Sequence, residues 1–239
     1  MIAIEPSRAL FERTTERLAA YFGLPSLDPA LSWQRAGRII AARLVLALAR
    51  EQLVDAELRG GALVLAGGTA LPLRSVRALE LHDPELTEPR ASVLEHPVSA
   101  WQQLAASIAL PEGARERIAT ELADGVPRLA LAVWVAAMRQ RHRGLIMRPY
   151  PSPLDGEDLV VVGHPWHPMA KTRLGLGWAE NLRHAPELFG VAPIAAIELP
   201  SADVHVHGDA IELLRPWLGA PAPEHVRIPV HRAQLARLL

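Results

Sequence analysis

Apolar residues recur at helical spacing through the first part of the chain and give way to short, turn-punctuated runs in the second. Leu10, Phe11, Leu18 and Ala19 lie among charged residues between Ala9 and Tyr21, which predicts an amphipathic helix stopped by Gly23 and Pro25. A longer helix is predicted from Pro29 to Val54, with Asp28 as its N-cap and Pro29 at the first helical position. From Leu58 to His82 the texture changes. Gly60-Gly61 and Gly67-Gly68 separate short apolar runs and Val76 to Leu81 alternates, so short strands joined by glycine turns are expected. Gly67-Gly68 lacks the Gly-Lys-Ser or Gly-x-Gly-x-x-Gly context of a phosphate loop and reads as a hairpin turn. Asp83 to Arg90 is polar and reads as a loop. Pro97 to Leu110 and Glu112 to Arg143 read as two further helices, the second open to a break at Gly125 to Pro127 because proline cannot continue the hydrogen-bond ladder.

Three prolines between Pro149 and Asp158 mark a turn-rich link. They divide the chain into a mainly helical region, 1–148, and an α/β region, 149–239. In the second region Leu159 to Val162 is expected as a short buried strand, Trp178 to His184 as a helix, and Val191 to Leu199 and Val226 to Val230 as strands. Leu235 to Leu239 reads as a terminal helix. The fold class is α+β, a helical first half with short strands followed by a strand-rich half.

Composition narrows the function classes. With 239 residues, half of them apolar, and a net charge of −1, the chain can bury a sizeable core and has no basic stripe for nucleic acid or an anionic membrane. It has no cysteine, which removes disulfides, thiolate catalysis and cysteine-bound zinc and fits a reducing compartment. Met1 to Arg8 lacks the pattern of a signal peptide, and the apolar stretches around Ile39 to Leu48 and Leu129 to Met138 are shorter than a membrane span. A soluble, cytoplasmic protein is expected.

Chemistry concentrates in Gly163 to Gly175, Gly-His-Pro-Trp-His-Pro-Met-Ala-Lys-Thr-Arg-Leu-Gly, directly after the apolar run. Each proline biases the residue before it away from helix, so His164 and His167 are expected on an extended rail. In polyproline II geometry they would share a face about 9 Å apart, too far for joint chelation and suited to an elongated anion. Lys171 and Arg173 follow, a point charge and a planar donor fork fit for phosphate. Lys171 is the only lysine in the chain. A second constellation, Asp203, His205, His207 and Asp209, alternates and would line one face of a strand. Zinc ligation is chemically open to it, but an exposed polar edge strand has the same alternation, and no metal site is assigned.

The signature resembles that of the siderophore synthetases that work independently of peptide synthetases, the aerobactin-synthetase or IucA/IucC family, which typically read Gly-His-Pro-x-His-Pro-x-x-Lys-x-Arg-x-Gly. Every fixed position is present. His184-Ala185-Pro186-Glu187-Leu188-Phe189 resembles the family's aromatic-x-Pro-Glu-Phe segment, with His184 in the aromatic place and Leu188 before the phenylalanine. His231 and Gln234 match an Ile-Pro-Val-His-Pro-Trp-Gln segment in which Arg232 and Ala233 replace Pro-Trp.

The resemblance implies the N-terminal part of a cupped-hand fold in which ATP activates a carboxylate, usually citrate or a related acid, for attack by an amine or hydroxyl. It implies nucleotide binding by His164, His167, Lys171 and Arg173, without deciding which histidine contacts phosphate. It implies magnesium too, although the acidic ligands belong to a later part of the family fold that has no counterpart here. Family members are much longer, and this chain corresponds to roughly their first two fifths. Two readings follow: part of a ligase completed by a partner chain or a homo-oligomer, or a degenerate member with a binding or regulatory role.

Overall fold

A first helix, α1 (Arg8–Phe22), forms because Ser7 accepts from the N–H of Leu10 at one end and Gly23 turns left-handed at the other, with φ 64°. The computed structural model describes residues 7–66, 68, 70–75, 80–81, 96–142, 161–164, 167–188, 194–232 and 234–235. The second helix, α2 (Pro29–Arg50), begins as expected, with Asp28 accepting from the N–H of Ala30 at 2.9 Å. It stops at Arg50, short of the expected Val54. Gln52 adopts φ 55°, so that Leu53 N–H donates back to Leu48 and Gln52 N–H to Ala49. The same two bonds close α1, where Leu24 donates to Ala19 and Gly23 to Ala20. A glutamine in the place of glycine leaves no stop signal to read.

Strands β1 (Ala56–Arg59), β2 (Ala62–Leu65), β3 (Ala70–Ser75) and β4 (Glu80–Leu81) form an antiparallel sheet in chain order. The Gly60-Gly61 turn has φ of 56° and 80°, which pairs Arg59 with Ala62 in a tight hairpin as expected. The expected loop Asp83 to Arg90 and link Pro149 to Asp158 lie outside the described residues, as do Gly67 and Val76.

Helix α3 (Pro97–Leu104) is shorter than the expected run to Leu110 and passes into a 3-10 turn, Ala105–Ser107. The Arg115 guanidinium donates to the carbonyls of Ala105 and Ile108, giving the backbone a partner outside the helix. Helix α4 (Ala114–Arg141) runs unbroken through Pro127, so the expected break does not occur. An internal proline costs roughly 3 kcal/mol. Burial offsets it: Val126, Leu129, Leu131 and Trp134 are all enclosed, and Gly125 lets Ile40 of α2 come close. These side chains, with Phe11, Ile40, Val45 and Trp101, form the core between α1, α2, α3 and α4.

In the second region Val161 and Val162 are bends and not the end of the expected strand, whose first residues, Leu159 and Val160, lie outside the described part. The Val162 carbonyl accepts from Nη1 of Arg43 at 2.7 Å, so a side chain of α2 supplies the partner that a neighbouring strand would have given. Helix α5 (Trp178–His184) matches its expected span, and a 3-10 turn, Pro186–Leu188, follows it. Strands β5 (Ile194–Pro200) and β6 (His225–His231) pair antiparallel from Ile194↔His231 to Pro200↔His225. Between them lies α6 (Ala210–Leu218), an element the sequence pattern did not indicate. Asp203 ends a 3-10 turn, Asp209 precedes α6, and the residues between them are irregular, so the expected alternating strand is absent here.

Candidate functional site

Helix α4 holds the signature loop by its backbone. Oδ2 of Asp124 accepts from the backbone N–H of Arg173 at 2.8 Å and from Nε of Arg128 at 2.8 Å, and Nη2 of Arg128 donates to the carbonyl of Leu176. Asp124 and Arg128 are buried and one helical turn apart, a spacing that lets the pair form within α4. Oγ1 of Thr172 donates to the carbonyl of Glu121 at 2.7 Å. At the start of the loop Gly163 has φ 67°, and a Cβ there would lie 3.0 Å from Cβ of Ala170. Only glycine lets the loop fold back on itself at that point.

From Pro168 to Gly175 turns predominate in the loop. His167 N–H donates to the His164 carbonyl, Ala170 to His167 and Thr172 to Met169. The N–H of His167 and the carbonyl of His164 lie 3.4 Å apart, nearer than a polyproline II rail would hold them. Both histidines are exposed. Nδ1 of His167 accepts from the N–H of Met169 at 3.1 Å, which leaves the proton of the neutral ring on Nε2 as an outward donor.

Lys171 and Arg173 are placed differently. Lys171 is 7% exposed, and its Nζ lies 3.1 Å from Oε1 of Glu187, itself 3% exposed. Nη2 of Arg173 reaches the same oxygen at 2.8 Å, and its Nη1 donates to Oδ1 of Asn181. Burial lowers the Lys171 ammonium from its usual range, the nearby charges of Arg173 and Arg43 add to that, and Glu187 opposes them without cancelling. Burial pushes the Glu187 carboxyl up, but Arg173 and Lys171 outweigh it and hold it below the usual range, ionised. Two cations thus face one carboxylate.

Glu187 comes from the second of the three motif segments, and the third joins as well. His184 at the end of α5 meets His231 at the end of β6, ring centroids 4.7 Å apart and nearly perpendicular. Arg173, Leu174, Leu176, Asn181, His184, Ala185, His231 and Gln234 border a cavity of about 440 Å³. The structure therefore brings three sequence-distant segments to one place. Sequence reasoning quoted Glu187 without giving it a role and passed over Asn181, Asp124 and Arg128. The i,i+4 spacing of the last two and the need of a buried lysine for a counter-ion were the available signals.

Of the other constellation only His205 and His207 meet, with ring centroids 4.6 Å apart. Among the described residues no group of three or more His, Asp or Glu side chains is placed to hold a metal ion. A separate cavity of about 540 Å³ lies between α2 and α4, lined by Arg35, Arg38, Val133 and Arg141 among others, and includes no signature residue. No helix among the described residues is long and apolar enough to cross a membrane.

Residues 152–239 match the sequence profile of the IucA / IucC family. Among solved structures the chain is similar to aerobactin synthetase IucC from a hypervirulent pathotype of Klebsiella pneumoniae, with a TM-score of 0.59 and 16% identity over 87% of this chain. The likeness extends to the fold, and the chain spans 42% of that structure's length. No curated protein matches the sequence.

Proposed function

We propose, from the match of residues 152–239 to the IucA / IucC family profile, that the chain serves siderophore biosynthesis as the N-terminal part of an ATP-dependent ligase that joins citrate or a related carboxylic acid to an amine. The signature loop is the phosphate-binding element of this reading. His167 offers Nε2–H as a donor, and His164 is exposed near it. Lys171 and Arg173 stand on the same loop, and both reach Glu187, which fixes their orientation. ATP supplies the adenylyl group that activates the acid. The chain's own part is to bind and orient the phosphates. Among the described residues no group of three or more His, Asp or Glu side chains is placed to hold magnesium.

The observation that carries the reading is the convergence of the three family-like segments on one cavity, bordered by Arg173 from the first, His184 and Ala185 from the second, and His231 and Gln234 from the third. In this reading the chain works with a partner chain or a second copy. Leu213 and Trp217, one turn apart on α6 and 71% and 84% exposed, are apolar surface of the kind such a partner covers.

A second reading, a non-catalytic member with a binding or regulatory role, draws on the commitment of Lys171 and Arg173 to Glu187. Calorimetric titration of ATP with magnesium separates the two. Binding by the parent chain that is lost in a His164→Ala, His167→Ala variant supports the ligase reading. No binding by the parent removes its nucleotide site.

A further inference from the structure

The cavity of about 540 Å³ between α2 and α4 is bordered by no signature residue and plays no part in the ligase reading. We propose that it is the binding site of a small organic phosphate, whose head takes donors from Arg35 and Arg38 of α2 and Arg141 of α4 while its apolar body rests on Leu31, Val133 and Ala137.

Helical spacing builds the two walls. Leu31, Arg35 and Arg38 follow at steps of four and three residues on α2, and Val133, Ala137 and Arg141 at steps of four on α4, so each helix turns one stripe to the cavity. The walls are held in place. Nε1 of Trp134, itself buried, donates to the carbonyl of Leu27 at 3.1 Å, which ties the segment entering α2 to α4. The cavity is thus carried by two packed helices, and its size lies within the range of about 300–1,000 Å³ of small-molecule sites.

The charges carry the argument. Three arginines come to one cavity from two helices, and among the described residues Arg38 and Arg141 have no hydrogen-bond or ion-pair partner. Asp28 is the one acidic residue on the lining, and its carboxylate accepts from the N–H of Ala30 as the cap of α2. Guanidinium groups gathered without a counter-ion repel one another, and a bound anion relieves that repulsion. Each presents a planar fork of N–H donors that fits the oxygens of a phosphate or a carboxylate.

The number of forks favours the phosphate. A carboxylate has two oxygens and one charge and is satisfied by a single fork. A phosphate monoester has three terminal oxygens and a charge of about −1.5 to −2, enough to engage several. Inorganic phosphate alone would leave Leu31, which is 65% exposed, and the apolar wall of α4 without a partner. A phosphate on a compact apolar body uses both.

The test titrates phenyl phosphate into the full chain by calorimetry, with inorganic phosphate and benzoate in parallel. Saturable binding of phenyl phosphate below millimolar concentration is expected, tighter than that of either control. Arg38→Gln should weaken it on the order of tenfold. Arg141→Gln should weaken it too, and because Arg141 is exposed in the last turn of α4 its replacement does not disturb the core. The His164→Ala, His167→Ala variant should bind phenyl phosphate as the parent does. The proposal is overturned by no binding at millimolar concentration, by binding unchanged in Arg38→Gln or in Arg141→Gln, or by a control that binds as tightly as phenyl phosphate. Loss of binding in the double histidine variant would place the phosphate on the signature loop and overturn it as well.

Discussion

Nη2 of Arg173 lies 2.8 Å from Oε1 of Glu187, and this contact ties the end of the signature loop to a segment fourteen residues further along. The same oxygen takes Nζ of Lys171 at 3.1 Å. Two charges conspicuous in the sequence as ligand donors are thereby fixed in orientation before any ligand arrives, a form of preorganisation.

Removing that carboxylate strands two cations. Glu187→Gln is expected to destabilise the chain by about 3–5 kcal/mol, the usual cost of breaking a buried pair from one side. Glu198→Gln, which breaks the solvent-facing pair with Arg227, should cost far less. Urea unfolding of both variants checks the contrast, and equal losses would contradict it.

The same pair sets a pH dependence. Arg173 and Lys171 outweigh burial and keep Glu187 ionised below the usual carboxylate range, so the unfolded chain takes up this proton first on acidification. Its contribution is complete above that range and is lost as pH falls through the lower folded value. Lys171 works at the alkaline end. Burial holds its folded value below the usual lysine range, so between the two the unfolded chain binds more protons and stability rises with pH. The stability gap between parent and Glu187→Gln should therefore shrink as the solution is acidified, as read from unfolding midpoints across pH.

Much of this was legible in the sequence where a residue carries its own local instruction. Asp28 and Pro29 opened α2, Gly60-Gly61 made the hairpin, and Trp178 to His184 formed α5 as read. The signature, the Pro-Glu segment and His231 marked the three places that meet. What stayed hidden depended on tertiary partners. Gln52 ends a helix in a left-handed conformation more usual for glycine, Arg43 takes the carbonyl of Val162 in place of a strand, and burial carries α4 across Pro127. The direction in which Lys171 points was likewise set by Glu187, and no local pattern encodes that choice.

Gly163 and Gly208 both have positive φ, 67° and 57°, but a Cβ at Gly163 would strike Ala170 whereas one at Gly208 meets nothing within 4 Å. Gly208→Ala should cost about 1–2 kcal/mol from backbone strain alone. Gly163→Ala should cost more than that, and it should weaken ATP binding as well, since the clash falls between the start of the loop and Lys171. Thermal unfolding together with nucleotide titration checks both, and equal costs with unchanged binding would rule out the close approach.

Phosphorus NMR of ATP with magnesium tests the central claim most directly. Adding the parent chain should shift or broaden the β- and γ-phosphate resonances, the His164→Ala, His167→Ala variant should leave them unmoved, and Glu198→Gln should behave as the parent. Resonances indifferent to the parent chain, or perturbed to the same extent by the double variant, would contradict a phosphate site on the signature loop.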